Sequence, residues 1–265
     1  MAARLTRLSL ALVLASPLAG TLAAQTAGYS TGTTKYRVVT NAKGSQISPA
    51  GSQTFDVALR EQLTVDLRKH ATDTLMATIT LDSITLSTSA GPSPDVSSVK
   101  GAKFVTMMSP TGKVYSTQPP TGLDATMAQI TDGIGRFLPS YRANLAKGTT
   151  WSDTTKGKIT QQGMDLDRTI VSTYTVAGDT TYAGQNALRI TRETNTIASG
   201  SGNAQGTPIT METTSKGNST YFVSPKGAFL GARSDDDVTS KITVVAQNVE
   251  IGVKQSVQTT VEAIK

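Results

Sequence analysis

Apolar and polar residues alternate along most of the chain. Phe55, Val57 and Leu59 are followed in the same phase by Leu63, Val65 and Leu67, with mostly polar residues between them. A period of two is the signature of an extended strand with one dry face. The even spacing over 55–67 predicts one long strand, or two joined by a bend. After a turn at 69–73, Leu75, Ala77, Ile79 and Leu81 alternate again, and Ile84 and Leu86 fall on the opposite parity. That phase change predicts a bulge near Asp82 or Ser83. A first strand is expected at 35–40, followed by a turn-rich stretch at 41–52. A loop is expected at 89–101, then a short hairpin about the turn Pro110-Thr111-Gly112. The second half is again strand-like. Strands are expected at 158–161, 169–176, 185–197 and 207–224, with a flexible loop at 199–206 and a polar corner at 235–237. The long alternation 238–264 includes Ile242, Val244, Val249, Ile251, Val253, Val257 and Val261.

One segment breaks this rhythm. Leu123, Met127, Ile130, Ile134, Phe137 and Leu138 recur at helical spacing, which predicts an amphipathic helix over 122–138. Thr121 or Asp124 can cap its start and Pro139 stops it, while Gly133 and Gly135 lower its intrinsic propensity. A helix with a single apolar stripe belongs against a sheet. The sequence also echoes itself: GAKFVTMMSPTGKVYS at 101–116 resembles GNSTYFVSPKGAFLGA at 217–232, each with Ser-Pro-x-Gly between short strands. Duplication explains the echo and its repeated flanking order; common turn chemistry explains the tetrapeptide alone. The expected fold is therefore mainly β (α+β): a long curved antiparallel sheet, or two half-barrels, with one amphipathic helix packed on it. The expected divisions are a first β-rich half at 34–121, a linking helix at 122–138 and a second β-rich half at 139–265.

The first residues give an address. Arg4 and Arg7 precede the apolar run LSLALVLA, Pro17 and Gly20 break it, and small residues follow to Ala24. This is the order of a secretory signal peptide over 1–24, with cleavage after Ala24 or Ala23 and a flexible leader at 25–33. No later stretch has the 18 or more consecutive apolar residues of a spanning helix, so export to the periplasm or exterior is expected. The chain has no cysteine, which excludes disulfides, thiolate metal sites, a cysteine nucleophile and a lipidated N-terminal cysteine. Beyond residue 24 the charge is 23 basic against 19 acidic residues, scattered rather than striped, so nucleic acid is not an expected partner. Threonine contributes 43 of the 265 residues, which suits a pleated surface with one wet face.

Catalytic patterns are sparse. The single histidine, His70, lies in a polar turn with no marked nucleophile or orienting acid beside it. Neither a Gly-x-Ser-x-Gly elbow nor a phosphate-binding glycine loop occurs. Asp235, Asp236 and Asp237 lack the spacing of a calcium loop and read as a solvated turn. Asp165 and Asp167 share one strand face, and a hydrolase would need a partner carboxylate across a cleft. Trp151 reads first as a core anchor and second as a ligand platform. No catalytic residue, metal ligand or cofactor is expected.

Leu138-Pro139, the following Gly148-Thr149-Thr150-Trp151 and the two Ser-Pro-x-Gly hairpins resemble uncharacterised secreted bacterial β-rich proteins with two similar halves. At fold level the long strands and crossing helix are similar to the half-barrels of periplasmic lipoprotein-carrier proteins. That resemblance implies a binding role, with acyl chains held on a concave face under a helix, and transfers no functional residue. The expected function is a non-catalytic exported carrier or binding protein for an apolar ligand, such as a lipid, or for a polypeptide. Met107, Met108, Met127, Ile130, Ile134, Phe137 and Trp151 are the candidate ligand-binding residues, since methionine adapts to irregular apolar shapes; the same residues could equally close a core. The alternatives are an envelope-assembly or surface module that binds an envelope protein through strand edges, and a hydrolase with dispersed carboxylates.

Overall fold

The computed structural model describes residues 28–142, 145–161, 164–204 and 206–264. The segment 1–24, expected as a signal peptide, lies outside the described residues. Eleven antiparallel strands form one sheet: β1 (Gly32–Ser48), β2 (Gly51–Ala71), β3 (Thr74–Thr88), β4 (Lys103–Met108), β5 (Val114–Gln118), β6 (Thr150–Gln161), β7 (Met164–Tyr182), β8 (Gln185–Ala204), β9 (Thr207–Val223), β10 (Phe229–Val244) and β11 (Val249–Ile264). Their spatial order is β5-β4-β3-β2-β1-β11-β10-β9-β8-β7-β6. Sequence neighbours lie side by side except β5 and β6, which form the two edges, and the first strand pairs with the last, in register from Lys35 opposite Ile264 to Ile47 opposite Gly252. The two β-rich stretches are thus one continuous sheet, open at β5 and β6.

The alternation decides which face is dry. In β2, Phe55, Val57, Leu59, Glu61, Leu63, Val65 and Leu67 are all buried, and β9 alternates without a break from Ile209 to Val223. The bulge falls at Asp82: Leu63 pairs with Leu81 and Gln62 with Ser83. The extra residue turns its carboxylate to accept a 2.6 Å hydrogen bond from the Thr64 hydroxyl. The sheet is strongly coiled. Tyr182, at the tip of the β7–β8 hairpin, donates a 3.0 Å hydrogen bond to the Val261 carbonyl on β11, although three strands intervene. In a flat sheet those strands would lie about 19 Å apart, beyond the reach of a side chain.

Several strands outrun their expected limits. The turn-rich stretch 41–52 is extended to Ser48, and the chain reverses only at residues 49 and 50. The loop expected at 199–206 is mostly strand, since β8 continues to Ala204 and β9 starts at Thr207. The polar corner expected at 235–237 lies in the middle of β10. In each case small or polar residues look like a loop when read alone, but a paired neighbour on either side satisfies their backbone groups and keeps them extended.

The expected helix at 122–138 is also shorter than its apolar spacing implies. Only α1 (Ala125–Ile130) is α-helical, followed by a single 3-10 turn at Ile134–Arg136. The Asp124 carboxylate accepts from the Met127 amide at 2.8 Å and starts the helix. The Thr131 hydroxyl bonds back to the Met127 carbonyl at 2.8 Å, which competes with helix continuation just before Gly133. Gly135 is required by packing, because a Cβ there would lie 2.2 Å from the Thr117 methyl. The segment still covers the dry face: Met127, Ile134, Phe137 and Leu138 are all buried. We call residues 123–142 the cap.

The cap is tied to the first Ser-Pro-x-Gly turn. The Tyr141 amide donates to the Thr111 carbonyl at 2.8 Å, and the Tyr29 amide donates to the Pro110 carbonyl at 2.7 Å. The Tyr29 hydroxyl donates to the Pro139 carbonyl at 2.8 Å, and its ring stacks on Tyr141. The leader expected at 25–33 is therefore held from Tyr29 onward, and strand begins at Gly32. The second Ser-Pro-x-Gly turn repeats the hydrogen bonds of the first. Ser109 and Ser224 each accept from the glycine three residues on, and donate to Lys113 and Ala228 respectively.

Gly112 has φ +86°, and a Cβ there would lie 2.4 Å from the Pro139 carbonyl oxygen. Gly112→Ala is expected to destabilise the protein by about 2 kcal/mol through the left-handed backbone alone, with further loss from displacing the cap. Thermal unfolding together with limited proteolysis checks this: cleavage should appear first within 123–142.

Candidate functional site

The inner face has three zones. The first lies beneath the cap and is apolar. Phe137 meets Tyr36 and Phe229 at ring-centroid distances of 5.0 and 5.9 Å, joining the cap to β1 and β10. Leu63, Val65, Ile79, Met108, Val176, Ile190 and Val223 complete the surrounding core. At the other end of the second half, Met164, Leu166, Ile209, Met211, Ile242, Val244 and Ile251 form a separate apolar cluster.

Between them runs a polar band. Its inward positions in β9 are Thr213, Ser215, Gly217 and Ser219, and those in β10 include Ser234, Asp236 and Ser240, all buried. The band centres on Arg192 of β8, only 3 % exposed. Its Nε donates to the Ser172 hydroxyl at 3.1 Å and its Nη1 to the Tyr221 hydroxyl at 3.0 Å. The guanidinium lies 5.7 Å from the Tyr174 ring centroid. Tyr174 stacks on Trp151 at 4.9 Å, and the cap's Arg142 guanidinium lies 5.7 Å from the indole. A continuous run, Arg142–Trp151–Tyr174–Arg192, therefore links cap to sheet interior.

Asp236 is on the same band. Gly217, opposite it on β9, leaves the space its carboxylate fills; a Cβ there would lie 1.9 Å from Oδ1. Burial pushes its pKa up to about 6, although Arg192 and the nearby Ser234 hydroxyl favour the charged form. Burial opposes the charge on Arg192, but Tyr221, Tyr174 and Asp236 outweigh it and hold its pKa above the ordinary value. Glu61 on β2, between Leu59 and Leu63, is pushed to about 7 by burial.

Among the described residues several buried polar atoms lack a hydrogen-bond partner. In the band these include Thr194 Oγ1; at the cap they include Ser140 Oγ, Arg142 Nε and Trp151 Nε1. Each such group costs about 1–3 kcal/mol relative to a satisfied one. Clusters of this kind are unusual inside a purely structural core.

Of the residues singled out from the sequence, Met108, Met127, Ile134, Phe137 and Trp151 join one buried cluster, with Ile130 packed against it. Met107 is half-buried and stands outside that cluster, on the opposite parity of β4. The space between cap and sheet is filled: the depression lined by Ala77, Ile79, Thr106, Met108, Val114, Gly135, Arg136 and Leu138 has no room for a water molecule. His70 is exposed near the end of β2. Asp165 and Asp167 are exposed on β7, where Asp167 lies 3.9 Å from Lys158. Reading the sequence missed Arg192 and Glu61, and the solvated turn expected at 235–237 is corrected by strand pairing that buries Asp236 within β10. The signal was present, because each charge falls on the apolar parity of its strand, Glu61 most plainly within Phe55-x-Val57-x-Leu59-x-Glu61-x-Leu63.

No family model and no curated protein matches the chain. Solved structures similar to it include a domain assigned to outer-membrane lipoprotein sorting from Vibrio parahaemolyticus, 10% identical, with 86% of this chain and 83% of that chain covered and a TM-score of 0.19. A DUF1329 family protein from Desulfovibrio piger is 9% identical, with 83% of each chain covered and a TM-score of 0.20. An exported protein with a YmcC-like fold from Bacteroides fragilis is 10% identical, with 86% of this chain and 96% of that chain covered and a TM-score of 0.25. Among the described residues no helix is long and apolar enough to cross a membrane.

The raised carboxyl pKa values fix the sign of the pH dependence. The folded state holds protons on Glu61 and Asp236 that the unfolded chain releases, so stability is greatest below the ordinary carboxyl range and falls as pH rises towards 6 to 7. For Glu61, a pKa moved from 4.5 to about 7 corresponds to about 3 kcal/mol lost by pH 8. Glu61→Gln should recover much of this at pH 8 and little at pH 4. Urea unfolding at both pH values measures it.

Proposed function

We propose that the protein is a non-catalytic exported binding protein that carries an apolar or amphiphilic ligand on the inner face of its sheet, under a displaceable cap. One observation supports this above the others: the cap covers an apolar surface and carries buried polar atoms that lack a partner. Among the described residues its hydrogen bonds to the sheet and leader include Tyr141 to Thr111, Tyr29 to Pro139 and Thr106 to the Gly135 carbonyl. Against these stand Ser140, Arg142 and Trp151, each with a buried polar atom that lacks a partner. The cap's Arg136 also lies near Arg168 of β7, and that like charge helps hold the Arg168 pKa below the ordinary guanidinium value, after burial. Displacing the cap bares Met108, Ile79, Val65, Phe229 and neighbouring side chains. A ligand that covers them regains roughly 25 cal/mol per Å² removed from water. Met108 and Met127 supply side chains that adapt to the shape of the ligand.

A second reading rests on a different feature. Among the described residues β6 pairs only with β7, so one side of a twelve-residue strand is free to add a strand from an envelope protein.

The absence of cysteine allows a clean test. An ideal Cβ on Gly135 lies 3.5 Å from the Thr117 Cβ, within the range for a disulfide. In Thr117→Cys/Gly135→Cys, the reduced protein should bind a neutral apolar dye such as N-phenyl-1-naphthylamine, and oxidation should weaken binding at least tenfold. Equal binding by the oxidised protein would exclude entry beneath the cap. Failure of wild type to bind any apolar probe would remove the carrier reading and leave the edge reading.

A further inference from the structure

The unpaired atoms at the cap are not a random set. Arg142 Nε and Trp151 Nε1 are pure donors, and both lack an acceptor. Both belong to one stack, in which the indole lies on Tyr174 and the Arg142 guanidinium is 5.7 Å from the indole centroid. Ser140 Oγ, also unpaired, is two residues from Arg142. Trp151 is only 5 % exposed, so its N–H has no route to bulk water in the closed state. An indole N–H buried without an acceptor is costly, and what it lacks is an oxygen.

Two guanidiniums stand at this point, Arg142 from the cap beside Trp151 and Arg192 from the sheet beside Tyr174. A second pair, Arg136 of the cap and Arg168, lies further along β7, where Arg168 is six residues from Tyr174. Arg168 is within electrostatic reach of Asp132 and Arg136, and Arg192 of Asp236. The carboxylates nearby are Asp132, Asp153 and Asp236, with Glu61 further round the inner face and partly protonated near neutrality. At the Trp151–Tyr174 stack itself the two guanidiniums stand with Asp153 and Asp236. The adjoining surface, around Phe137, Tyr36 and Met108, is apolar.

We propose that Arg142 and Trp151 form the head-group end of the ligand site, and that the ligand is an amphiphile whose anionic carboxylate or phosphate accepts from Arg142 Nε and Trp151 Nε1 while its chain lies on the apolar zone beneath the cap. This rests on the carrier reading and adds the class of ligand. Arg142 is half-buried and on the cap, so it can meet the head group as the cap lifts; Trp151, fixed on β6, waits on the sheet. The aspartates already offset part of the positive charge, so the gain over a neutral ligand should be about tenfold rather than thousands.

The chain contains one tryptophan, Trp151, which makes its emission a reporter of the site itself. Titrating the mature protein with laurate and with methyl laurate compares one chain with and without the anion, and titrations with acetate and inorganic phosphate supply the anion without the chain. The expected result is binding of laurate about ten times tighter than of the ester, with a shift in Trp151 emission. Arg142→Gln should bring the ratio close to one while the ester's affinity changes less than twofold. Should that variant fold poorly, Arg142→Lys, which keeps the charge but removes the Nε donor, is expected to lower the ratio in part. Equal affinity for acid and ester in wild type overturns the head-group site but leaves the carrier intact. Acetate or phosphate binding as tightly as laurate overturns the amphiphile in favour of a small-anion site. No response to either long chain overturns both readings.

Discussion

The first and last strands meet in the middle of the sheet, and the rest of the architecture hangs from that pairing. β1 and β11 run antiparallel from Lys35 opposite Ile264 to Ile47 opposite Gly252. Without this ladder the chain would be two separate meanders with an exposed edge each. With it, a single sheet coils far enough for β7 to touch β11, and one hydrophobic cluster takes in β2, β3 and β4 together with β7, β8 and β9. The pairing joins residues more than two hundred positions apart, so its loop-closure entropy must be met before most of the core can form. The other link between the sheet's edges is the cap, and it is of a different kind: side-chain packing with a few hydrogen bonds in place of a continuous ladder.

Coiling gives the sheet an interior that its sequence does not fill with hydrocarbon alone. Across the middle of the inner face stand Thr213, Ser215, Ser219, Ser234, Asp236 and Arg192, at positions where a simple β core would carry valine or isoleucine. Gly217 and Gly44 let Asp236 and Phe55 lie flat over neighbouring strands. Such a band costs stability, because burial, reinforced at Asp236 by its neighbours Asp235 and Asp237, displaces the titration of Glu61 and Asp236 towards neutrality. Perturbed titration of this sort gathers at sites that do something. Here the band adjoins a cap whose own polar atoms are incompletely paired.

Much of the fold was legible because it depends on parity. The run from Phe55 to Leu67, the phase change at Asp82 and the alternation from Val238 onward all state which face is dry, and the strands follow them. Strand ends were less legible, since residues such as 199–204 are held extended by β7 and β9 rather than by their own preference. The helix at 122–138 was overread: apolar spacing cannot report that Thr131 bonds back to Met127, or that Gly135 must sit against Thr117. The site was half legible. Apolar residues at the cap could be found by spacing. Arg192 and Asp236, 44 residues apart in sequence, come together only because β8, β9 and β10 are adjacent in register.

The cap is the weak link over a sheet whose two parts are joined by a strong one, and native-state hydrogen exchange measures both at once. Amides of 125–138 should exchange through a local opening, orders of magnitude faster than the paired amides of β1 and β11, which should exchange only on global unfolding. Equal, slow exchange in the two regions would contradict the account and make the cap an integral part of a permanently closed core.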